Sequence, residues 1–231
     1  MSVVGGASDM DRSRERTRDV YDRIAAHFSS TREYPWPEVE SFLAGSGGAL
    51  GLDVGCGNGR HAEELVDVCD RVVGVDASRG LLETAVERAT ERAYEASVAF
   101  VQGDASRLPV SADSVDLAVY VATLHHLPDR ERRVRSLDEL GRVLAPDGAA
   151  LVSAWSTAHD TFADASAADD VGFDTTVDWT LPGGETVPRF YHVYSPAEFE
   201  RDLAASALAV EETFQSSGNC YSTVRSERKT S

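Results

Sequence analysis

The sequence of 231 residues contains little lysine and cysteine and no long apolar run. Lys229 is the single lysine, and the three cysteines, Cys56, Cys69 and Cys220, are too far apart to indicate a zinc pair or a disulfide framework. No apolar stretch approaches the ~20 residues that cross a bilayer. The first ten residues lack a basic segment followed by an apolar core, which is the pattern of a signal peptide. We therefore expect a cytoplasmic protein with no membrane association and no bound metal.

Positive charge is scarce as well. The chain has 22 Lys and Arg residues against 39 Asp and Glu, which gives a formal net charge of −17. This composition resembles that of proteins from salt-loving microbes, although a GC-rich genome also favours arginine over lysine. Nucleic-acid-binding proteins usually carry a basic face, so the net charge argues against RNA at low salt. In molar salt, where charges are screened beyond about 3 Å, it excludes RNA much less strongly.

The pattern of apolar residues predicts one α/β domain preceded by helices. Residues 1–16 are polar and aperiodic, so we expect a flexible N-terminus. Apolar residues at helical spacing then predict an N-terminal helical cap over residues 17–45. Short apolar runs alternate with amphipathic helices across residues 46–231, which predicts a mostly parallel, doubly wound sheet. The polar stretch 156–189 interrupts this alternation, and we interpret it as a lid-like insert.

Gly55, Gly57 and Gly59 lie between a predicted strand and a predicted helix. Glycines at such a position let the backbone turn sharply and approach a ligand closely. The G-x-G-x-G spacing differs from the G-x-G-x-x-G of dinucleotide sites, and alone it also permits a tight turn without any ligand. Asp76 and Asp104 end the next two strands, where carboxylates can accept hydrogen bonds from ribose hydroxyls and an adenine amino group. Because such sheets bind ligands at the carboxyl ends of their strands, we expect a nucleoside-containing cofactor there.

Three segments carry a resemblance to a known family: Asp53-Val54-Gly55-Cys56-Gly57-Asn58-Gly59, Gly74-Val75-Asp76 and Gly103-Asp104-Ala105. They resemble the successive cofactor motifs of class I methyltransferases. The resemblance implies a Rossmann-like fold with a seven-stranded sheet whose last strand is antiparallel, and S-adenosylmethionine rather than NAD. Asp53 would lie near the ammonium group of that cofactor. The residues expected to bind the cofactor are Asp53, Gly55, Cys56, Gly57, Gly59, Asp76, Ala77, Asp104, Ala105 and Val121.

Further segments outside these motifs are Tyr21–Arg32 with Pro35-Trp36-Pro37, then His125-His126-Leu127 onward to Trp155, and finally Arg189–Tyr194. Together they resemble the eukaryotic tRNA methyltransferases that esterify 5-carboxymethyluridine at the wobble position. These relatives include the methyltransferase domain fused to an AlkB-type oxygenase. The insert at 156–189 matches these relatives poorly. The resemblance implies a tRNA substrate and a small zinc-binding activator protein that several methyltransferases share.

A carboxylate acceptor is already ionised at neutral pH, so its methylation needs no general base. The site should instead offer cations and hydrogen-bond donors. We expect Arg32 and Arg189 to hold the carboxylate, since a guanidinium group binds it bidentately. We expect His126 to donate a hydrogen bond to the acceptor carboxylate or the uracil. The aromatic residues expected to contact substrate, for example by stacking on a base, are Tyr21, Trp36, Tyr191 and Tyr194.

Each assignment has a structural alternative. Arg32 and Arg189 can be surface arginines paired with carboxylates, and His126 can cap the loop after its strand. Trp36 and Tyr191 can belong to the core or the lid. The arginines between residues 130 and 135 fit a solvated helix face better than a contact with RNA phosphates.

Two other functions also remain open. The main alternative is a class I methyltransferase that acts on a small molecule, such as a quinone precursor or a carboxylic acid. The other is a cofactor-binding protein without turnover, or an NAD-type binding module.

The third predicted strand carries the apolar residues Val98, Phe100 and Val101, and it falls at an edge of the expected sheet. An uncovered apolar edge invites strand addition by another chain. We therefore expect the activator to bind around Val98–Val101 in a heterodimer. We also expect the protein alone to be poorly soluble.

Overall fold

The protein is described by a computed structural model over residues 7–162 and 170–227. The helices are α1 (Ala7–Ser30), α2 (Pro37–Leu43), α3 (Arg60–Val66), α4 (Arg79–Glu91), α5 (Arg130–Val143) and α6 (Pro196–Ala204). The strands are β1 (Gly48–Val54), β2 (Cys69–Asp76), β3 (Val98–Gln102), β4 (Val115–Tyr120), β5 (Leu144–Trp155), β6 (Phe173–Thr180), β7 (Thr186–Val193), β8 (Leu208–Ser216) and β9 (Asn219–Ser226). Single 3₁₀ turns cover Leu124–His126 and Asp160–Phe162.

Seven of these strands form one sheet in the order β3-β2-β1-β4-β5-β9-β8. Strands β1 to β5 pair in parallel, and β9 pairs antiparallel with both β5 and β8. The predicted Rossmann-like α/β fold, with seven strands and the last one antiparallel, is therefore confirmed. Because the carboxyl ends of parallel strands meet at one edge, the segments that follow β1, β2, β3 and β4 are brought together there.

The core lies on both faces of the sheet, because successive side chains of a strand point to opposite faces. In β4, Leu117 and Val119 pack with residues of α2 and α3, such as Leu65. Their neighbours Ala118 and Tyr120 pack with residues of α5 and α6, such as Leu137. Strands buried on both faces show the near-continuous apolar runs that the sequence contains.

Helix α1 begins at Ala7, whereas a flexible segment was expected to extend to residue 16. Residues 7–16 contain good helix formers and neither glycine nor proline, so they continue the helix without an apolar face. The helix packs on the N-terminal end of α4. There the Asp22 carboxylate accepts hydrogen bonds from the Ser78 hydroxyl at 2.6 Å and the Gly80 amide at 2.8 Å. Residues 1–6 lie outside the described ranges.

The stretch 156–189, interpreted as an insert without regular structure, contains β6 and most of β7. The two strands form an antiparallel hairpin in which Thr180 pairs with Thr186. Side chains along β6 alternate between half-buried and exposed. The period-two pattern of Phe173-Asp174-Thr175-Thr176-Val177-Asp178-Trp179-Thr180 was thus a strand signal that the sequence analysis missed. Residues 163–169 of this insert are outside the described part.

Within residues 7–162 and 170–227, no helix is long and apolar enough to cross a membrane. The same ranges contain no cluster of three or more histidine, cysteine or carboxylate side chains that could hold a metal ion. The three cysteines are free and buried.

Candidate active site

A cavity of about 500 Å³ lies at the carboxyl ends of the parallel strands, beneath helix α1. Its volume falls within the range of small-molecule sites. The lining residues are Glu15, Thr17, Arg18, Tyr21, Phe28, Val54, Gly55, Gly57, Val75, Asp76, Ala77, Ser78, Leu81, Gln102, Gly103, Asp104, Ala105, Ala122, Thr123, His126 and Leu127. The predicted cofactor residues at the ends of three strands therefore share one cavity with His126 and Tyr21 from the predicted acceptor site.

The loop after β1 needs glycine because its backbone adopts positive φ angles and because a side chain would not fit at Gly55. Gly55 has a φ of 71°, and a Cβ atom there would meet the Thr123 hydroxyl oxygen at 2.1 Å. Gly59 has a φ of 78° and occupies the N-cap position of α3, outside the cavity lining. The backbone of Gly55 and Gly57 is consequently the part of the loop that lines the cavity.

Asp76 and Asp104 line the same cavity. The Asp76 carboxylate accepts hydrogen bonds from the amides of Gly57 and Ser78, both at 2.8 Å. Asp104 accepts from the amide and the hydroxyl of Ser106, at 2.9 and 2.8 Å. A carboxylate has about four acceptor positions, so Asp76 retains capacity for a ribose diol. Burial raises the pKa of Asp76, and the hydrogen bonds from the Ser78 and Gly57 amides oppose this rise.

Asp53 lies at the end of β1, is only 1% exposed and does not line the cavity, although the next two residues, Val54 and Gly55, do. Its Oδ2 atom has no hydrogen-bond partner. Burial, and after it repulsion from Asp76, raises the pKa of Asp53 to about 7, although Arg60 opposes the rise. A buried carboxylate oxygen without a partner is unfavourable in the free protein, so this site fits a cationic ligand group that restores the missing interaction.

The remaining predicted cofactor residues separate into two groups. Ala77 and Ala105 line the cavity beside the two aspartates. Cys56 and Val121 are buried and do not line it, and Val121 packs in the core on the α3 side of the sheet. For these two residues the structure shows packing rather than exposure to a ligand.

His126 bonds to two neighbours through its two ring nitrogens. Nδ1 lies 2.9 Å from the backbone oxygen of Phe190, and Nε2 lies 2.9 Å from the Tyr21 hydroxyl oxygen. A carbonyl oxygen can only accept, so Nδ1 carries the hydrogen and Nε2 accepts from Tyr21. Burial lowers the pKa of His126 to about 4. The neutral ring thus has no free donor for the acceptor, contrary to the role predicted for it, and instead orients the Tyr21 hydroxyl.

Arg32 and Arg189 meet at one aromatic side chain. The guanidinium carbon of Arg189 lies 4.8 Å from the ring centroid of Trp179, and that of Arg32 lies 5.5 Å from the same ring. Within the described ranges neither guanidinium forms an ion pair, and the Nε atom of Arg189 is buried without a hydrogen-bond partner. The alternative in which carboxylates pair with these two arginines is therefore wrong for the described part of the chain.

Trp179 is the main residue of this site that the sequence analysis missed. It lies on the hairpin strand β6, and its indole Nε1 donates a hydrogen bond to Nδ1 of His27 at 3.0 Å. Its ring centroid lies 5.6 Å from that of Phe28 on α1. Recognition of β6 as a strand would have placed Trp179 on its half-buried face.

The aromatic residues predicted to contact substrate lie in different places. Tyr191 is buried beside His126, with ring centroids 4.5 Å apart, and Arg189 lies over its ring. Trp36 packs against His61 and Tyr221, and Tyr194 is fully buried with its hydroxyl donating to Asp202 at 3.1 Å. Trp36 does not line the cavity, and full burial excludes Tyr194 from stacking on a base. Trp36 and Tyr194 are therefore aromatic because they pack against the core.

The arginines of α5 are held by carboxylates. Arg130 pairs with Asp202 at 2.6 Å, and Arg135 pairs with Glu131 at 2.7 Å. Arg132 lies 3.3 Å from Asp129. This helix face is consequently not a basic surface for RNA phosphates.

The chain is similar in sequence to known methyltransferases. Residues 52–152 match the family described as "Methyltransferase domain". The chain is 41% identical over 152 residues to the tRNA (carboxymethyluridine(34)-5-O)-methyltransferase of Xenopus tropicalis, a match that covers 65% of this chain and 22% of that protein. It is 34% identical over 180 residues to the enzyme of the same name from Saccharomyces cerevisiae, covering 78% of this chain and 61% of that protein. The chain thus spans less than two thirds of either relative.

The fold also matches solved structures. One is a chain from the complex with the Haloferax volcanii Trm112 methyltransferase activator, with a TM-score of 0.66 and 19% sequence identity. That match covers 93% of this chain and 99% of the other. At this identity the likeness establishes the fold.

Proposed function

We propose that this chain is a class I methyltransferase that methylates the carboxylate of 5-carboxymethyluridine at the wobble position of tRNA. The observation that carries the proposal is the pair Arg32 and Arg189. In a chain with 39 acidic residues, these two guanidinium groups form no ion pair within the described ranges, and both lie against Trp179. They are suited to bind an anion that the protein itself does not supply.

S-adenosylmethionine is the methyl donor in this proposal, and it supplies a methyl group on a positively charged sulfur. The residues present fit its other groups. Asp76 has free acceptor positions for ribose hydroxyls, and Asp104 lies beside it for the adenine. The unpartnered Oδ2 of Asp53 provides a counter-charge for an ammonium group.

The acceptor side of the site is arranged for an acceptor that is already ionised. Among the described residues, the histidine that lines the cavity is His126, whose low pKa and occupied ring nitrogens make it a poor general base. A hydroxyl acceptor would need such a base, whereas a carboxylate needs alignment and exclusion of water. Tyr21, held by His126, and the two arginines would provide that alignment.

The test is transfer of labelled methyl from S-adenosylmethionine to matched acceptors. We expect purified protein to esterify an anticodon stem-loop that carries 5-carboxymethyluridine, and to leave alone the same RNA with an uncharged carbamoylmethyl group. The product should release methanol in mild base, as a methyl ester does. Transfer to small carboxylic acids, with none to the modified RNA, would instead favour the small-molecule methyltransferase, whose acid would use the same arginine pair.

We also propose that strand β3 binds a small zinc-binding activator. Strand β3 occupies one edge of the sheet and contains no charged residue. The opposite edge, β8, carries Glu211 and Glu212 and an irregular register between Val210 and Glu212, features that protect an edge from pairing. This contrast supports β3 as the edge left open for strand addition, and a solved structure of the same fold is a complex with the Haloferax volcanii Trm112 methyltransferase activator.

A charge on β3 tests this interface. Ala99 is exposed in β3, so Ala99→Glu should leave the fold intact and reduce co-purification with the activator. Ala209→Glu, at an exposed position on β8, is the matched control and should have no effect. Equal capture of the activator by both variants would contradict binding at β3.

We propose, finally, that the acidic composition reflects function at high salt. The net charge of −17 is spread over a chain with one lysine. Screening at high salt would reduce both self-repulsion and the repulsion of RNA phosphates.

A further inference from the structure

Tyr34 is an exposed aromatic side chain two residues after Arg32. It lies in the loop between α1 and α2 and is 79% exposed, more than any other large apolar side chain in the described ranges. Two residues of extended chain span at most about 7 Å, so the Cα of Tyr34 lies within about this distance of the Cα of Arg32, whose guanidinium contacts Trp179. Neither the cavity nor the core accounts for its position.

The loop that carries Tyr34 is fixed on both sides. The side chain of Asn58 donates to the backbone oxygen of Arg32 at 2.9 Å, and Arg88 donates to the backbone oxygen of Glu33 at 2.8 Å. The Glu33 carboxylate also pairs with Arg92. Pro35 follows directly and restricts the backbone of the residue before it. These contacts fix the backbone on both sides of Tyr34, so little backbone entropy remains to be lost when its ring binds a partner.

The charges around Tyr34 disfavour a phosphate contact. Arg88 and Arg92 both pair with Glu63, and Arg92 pairs with Glu33 as well, so these two cations are neutralised. Arg32, which forms no ion pair within the described part of the chain, lies against Phe28 and Trp179. An aromatic face, in contrast, binds an unstacked base without needing charge, and salt does not screen that contact. A rigid tyrosine is the kind of side chain that gives contact area at low entropic cost.

We propose that Tyr34 stacks on a nucleobase next to the wobble uridine, and so positions the anticodon loop on an acidic protein that lacks a basic RNA-binding face. The inference rests on the proposed tRNA function. The ring would contact the neighbouring nucleotide while Arg32 and Arg189 hold the carboxymethyl group. Stacking would therefore contribute to RNA affinity and leave the methyl-transfer step unchanged.

The test uses a stem-loop RNA with 5-carboxymethyluridine at the wobble position, and two further RNAs in which the base on one side or the other is removed. For Tyr34→Ala we expect the KM and the Kd for the intact RNA to rise about fivefold or more, with kcat unchanged. Tyr34→Phe should behave like the wild type, since stacking needs the ring and not the hydroxyl. Val86→Ala, at another exposed apolar position that is 51% exposed on α4, should also leave both values unchanged.

The abasic RNAs identify the contact. Removal of the stacked base should weaken binding of the wild type to the level of Tyr34→Ala and should not weaken that variant further. Equal RNA affinity of wild type and Tyr34→Ala would overturn the inference while leaving the tRNA function intact, as would independent, additive losses with both abasic RNAs. Loss of binding to the activator in place of RNA would reassign Tyr34 to a protein interface. If the wild type methylated no carboxymethylated RNA, the proposed function and this inference would fail together.

Discussion

At the residue scale, we expect Asp53 to make cofactor binding depend on pH. Its raised pKa of about 7 means that near neutral pH the free protein holds a partly protonated carboxyl group. An ammonium group pairs only with the ionised form, so binding lowers this pKa and releases a proton. The affinity for the cofactor should therefore increase as the pH rises through 7.

We expect the Kd for S-adenosylmethionine to fall about fivefold between pH 6 and pH 7.5, a range in which the α-amino group of the ligand stays mostly protonated. Isothermal titration calorimetry in two buffers of different ionisation enthalpy measures both the Kd and the proton release. The isosteric variant Asp53→Asn should bind more weakly and show no such pH dependence. A wild-type Kd that is flat over this range would argue against a contact between Asp53 and the ammonium group.

Trp179 provides the second prediction at this scale. A cation–π contact contributes about 0.5–2 kcal/mol, and Trp179 makes two of them with the arginines of the acceptor site. We expect Trp179→Leu to raise the KM for carboxymethylated RNA about tenfold, with the Kd for S-adenosylmethionine unchanged. Trp179→Phe should lie between the two, because it keeps an aromatic face but loses the hydrogen bond to His27.

The matched control is Phe173→Leu, which alters another aromatic side chain of β6 that contacts Phe162 rather than the arginines. It should reduce stability and leave the KM unchanged. If both variants raised the KM equally, Trp179 would act through the stability of the hairpin and not through the arginines.

The residue scale also shows where sequence reasoning stops. Asp76 and Asp104 were placed correctly because strand ends in a parallel sheet meet at one edge. Trp36 and Tyr194 were assigned to substrate because they are aromatic and lie in segments that carry the family resemblance, and neither property reveals whether an aromatic ring faces a cavity or the core. The partners of Arg32 and Arg189 come from distant segments, so their shared contact with Trp179 was not predictable.

At the scale of elements, a buried histidine anchors the β6–β7 hairpin. His192 Nδ1 lies 2.7 Å from a carboxylate oxygen of Asp174, and Nε2 lies 3.0 Å from one of Glu198 on α6. Both partners accept, so both ring nitrogens donate and the ring is an imidazolium. Burial lowers the pKa of His192, but the bonds to Asp174 and Glu198 outweigh it and the pKa is raised. Arg133 on α5 also contacts Glu198.

A raised histidine pKa gives stability that is fully present below the unfolded value near 6.5 and is lost as the pH rises through the folded value. We therefore expect His192→Gln to lower the free energy of unfolding on the order of 3 kcal/mol at pH 6 and by clearly less at pH 8.5. Chemical denaturation at the two pH values measures the difference. An equal loss at both would show that His192 is neutral in the folded protein.

The strands of this hairpin were not predicted from the sequence. Helices and strands of the central sheet follow from strong apolar periodicity. The stretch 156–189 was interpreted as a loop because its strands are polar on one face and rich in threonine and aspartate. Apolar and polar residues do alternate over 173–180, but the polar composition of the whole stretch hid this strand pattern.

At the scale of the whole molecule, we expect the net charge to make stability depend on the salt concentration. With a net charge of −17, the folded chain repels itself at low salt, and the Debye length shrinks from about 10 Å at 0.1 M to about 3 Å at 1 M. We expect the Tm to rise by several degrees between 0.1 M and 2 M KCl. A thermal scan in chloride, which avoids the general stabilising effect of sulfate, provides the measurement. A flat or falling Tm would favour genome composition as the origin of the acidic surface.

The identity of the methyl acceptor is also a property of the whole molecule, and it is the central proposal. Mass spectrometry of wobble nucleosides from cells with and without this protein tests it most directly. Loss of the 5-carboxymethyluridine methyl ester, or of nucleosides derived from it, with accumulation of the free acid is the predicted result, and the gene for the wild type should reverse it where an Arg32→Met, Arg189→Met variant does not. Unchanged wobble nucleosides in cells that lack the protein would contradict the account.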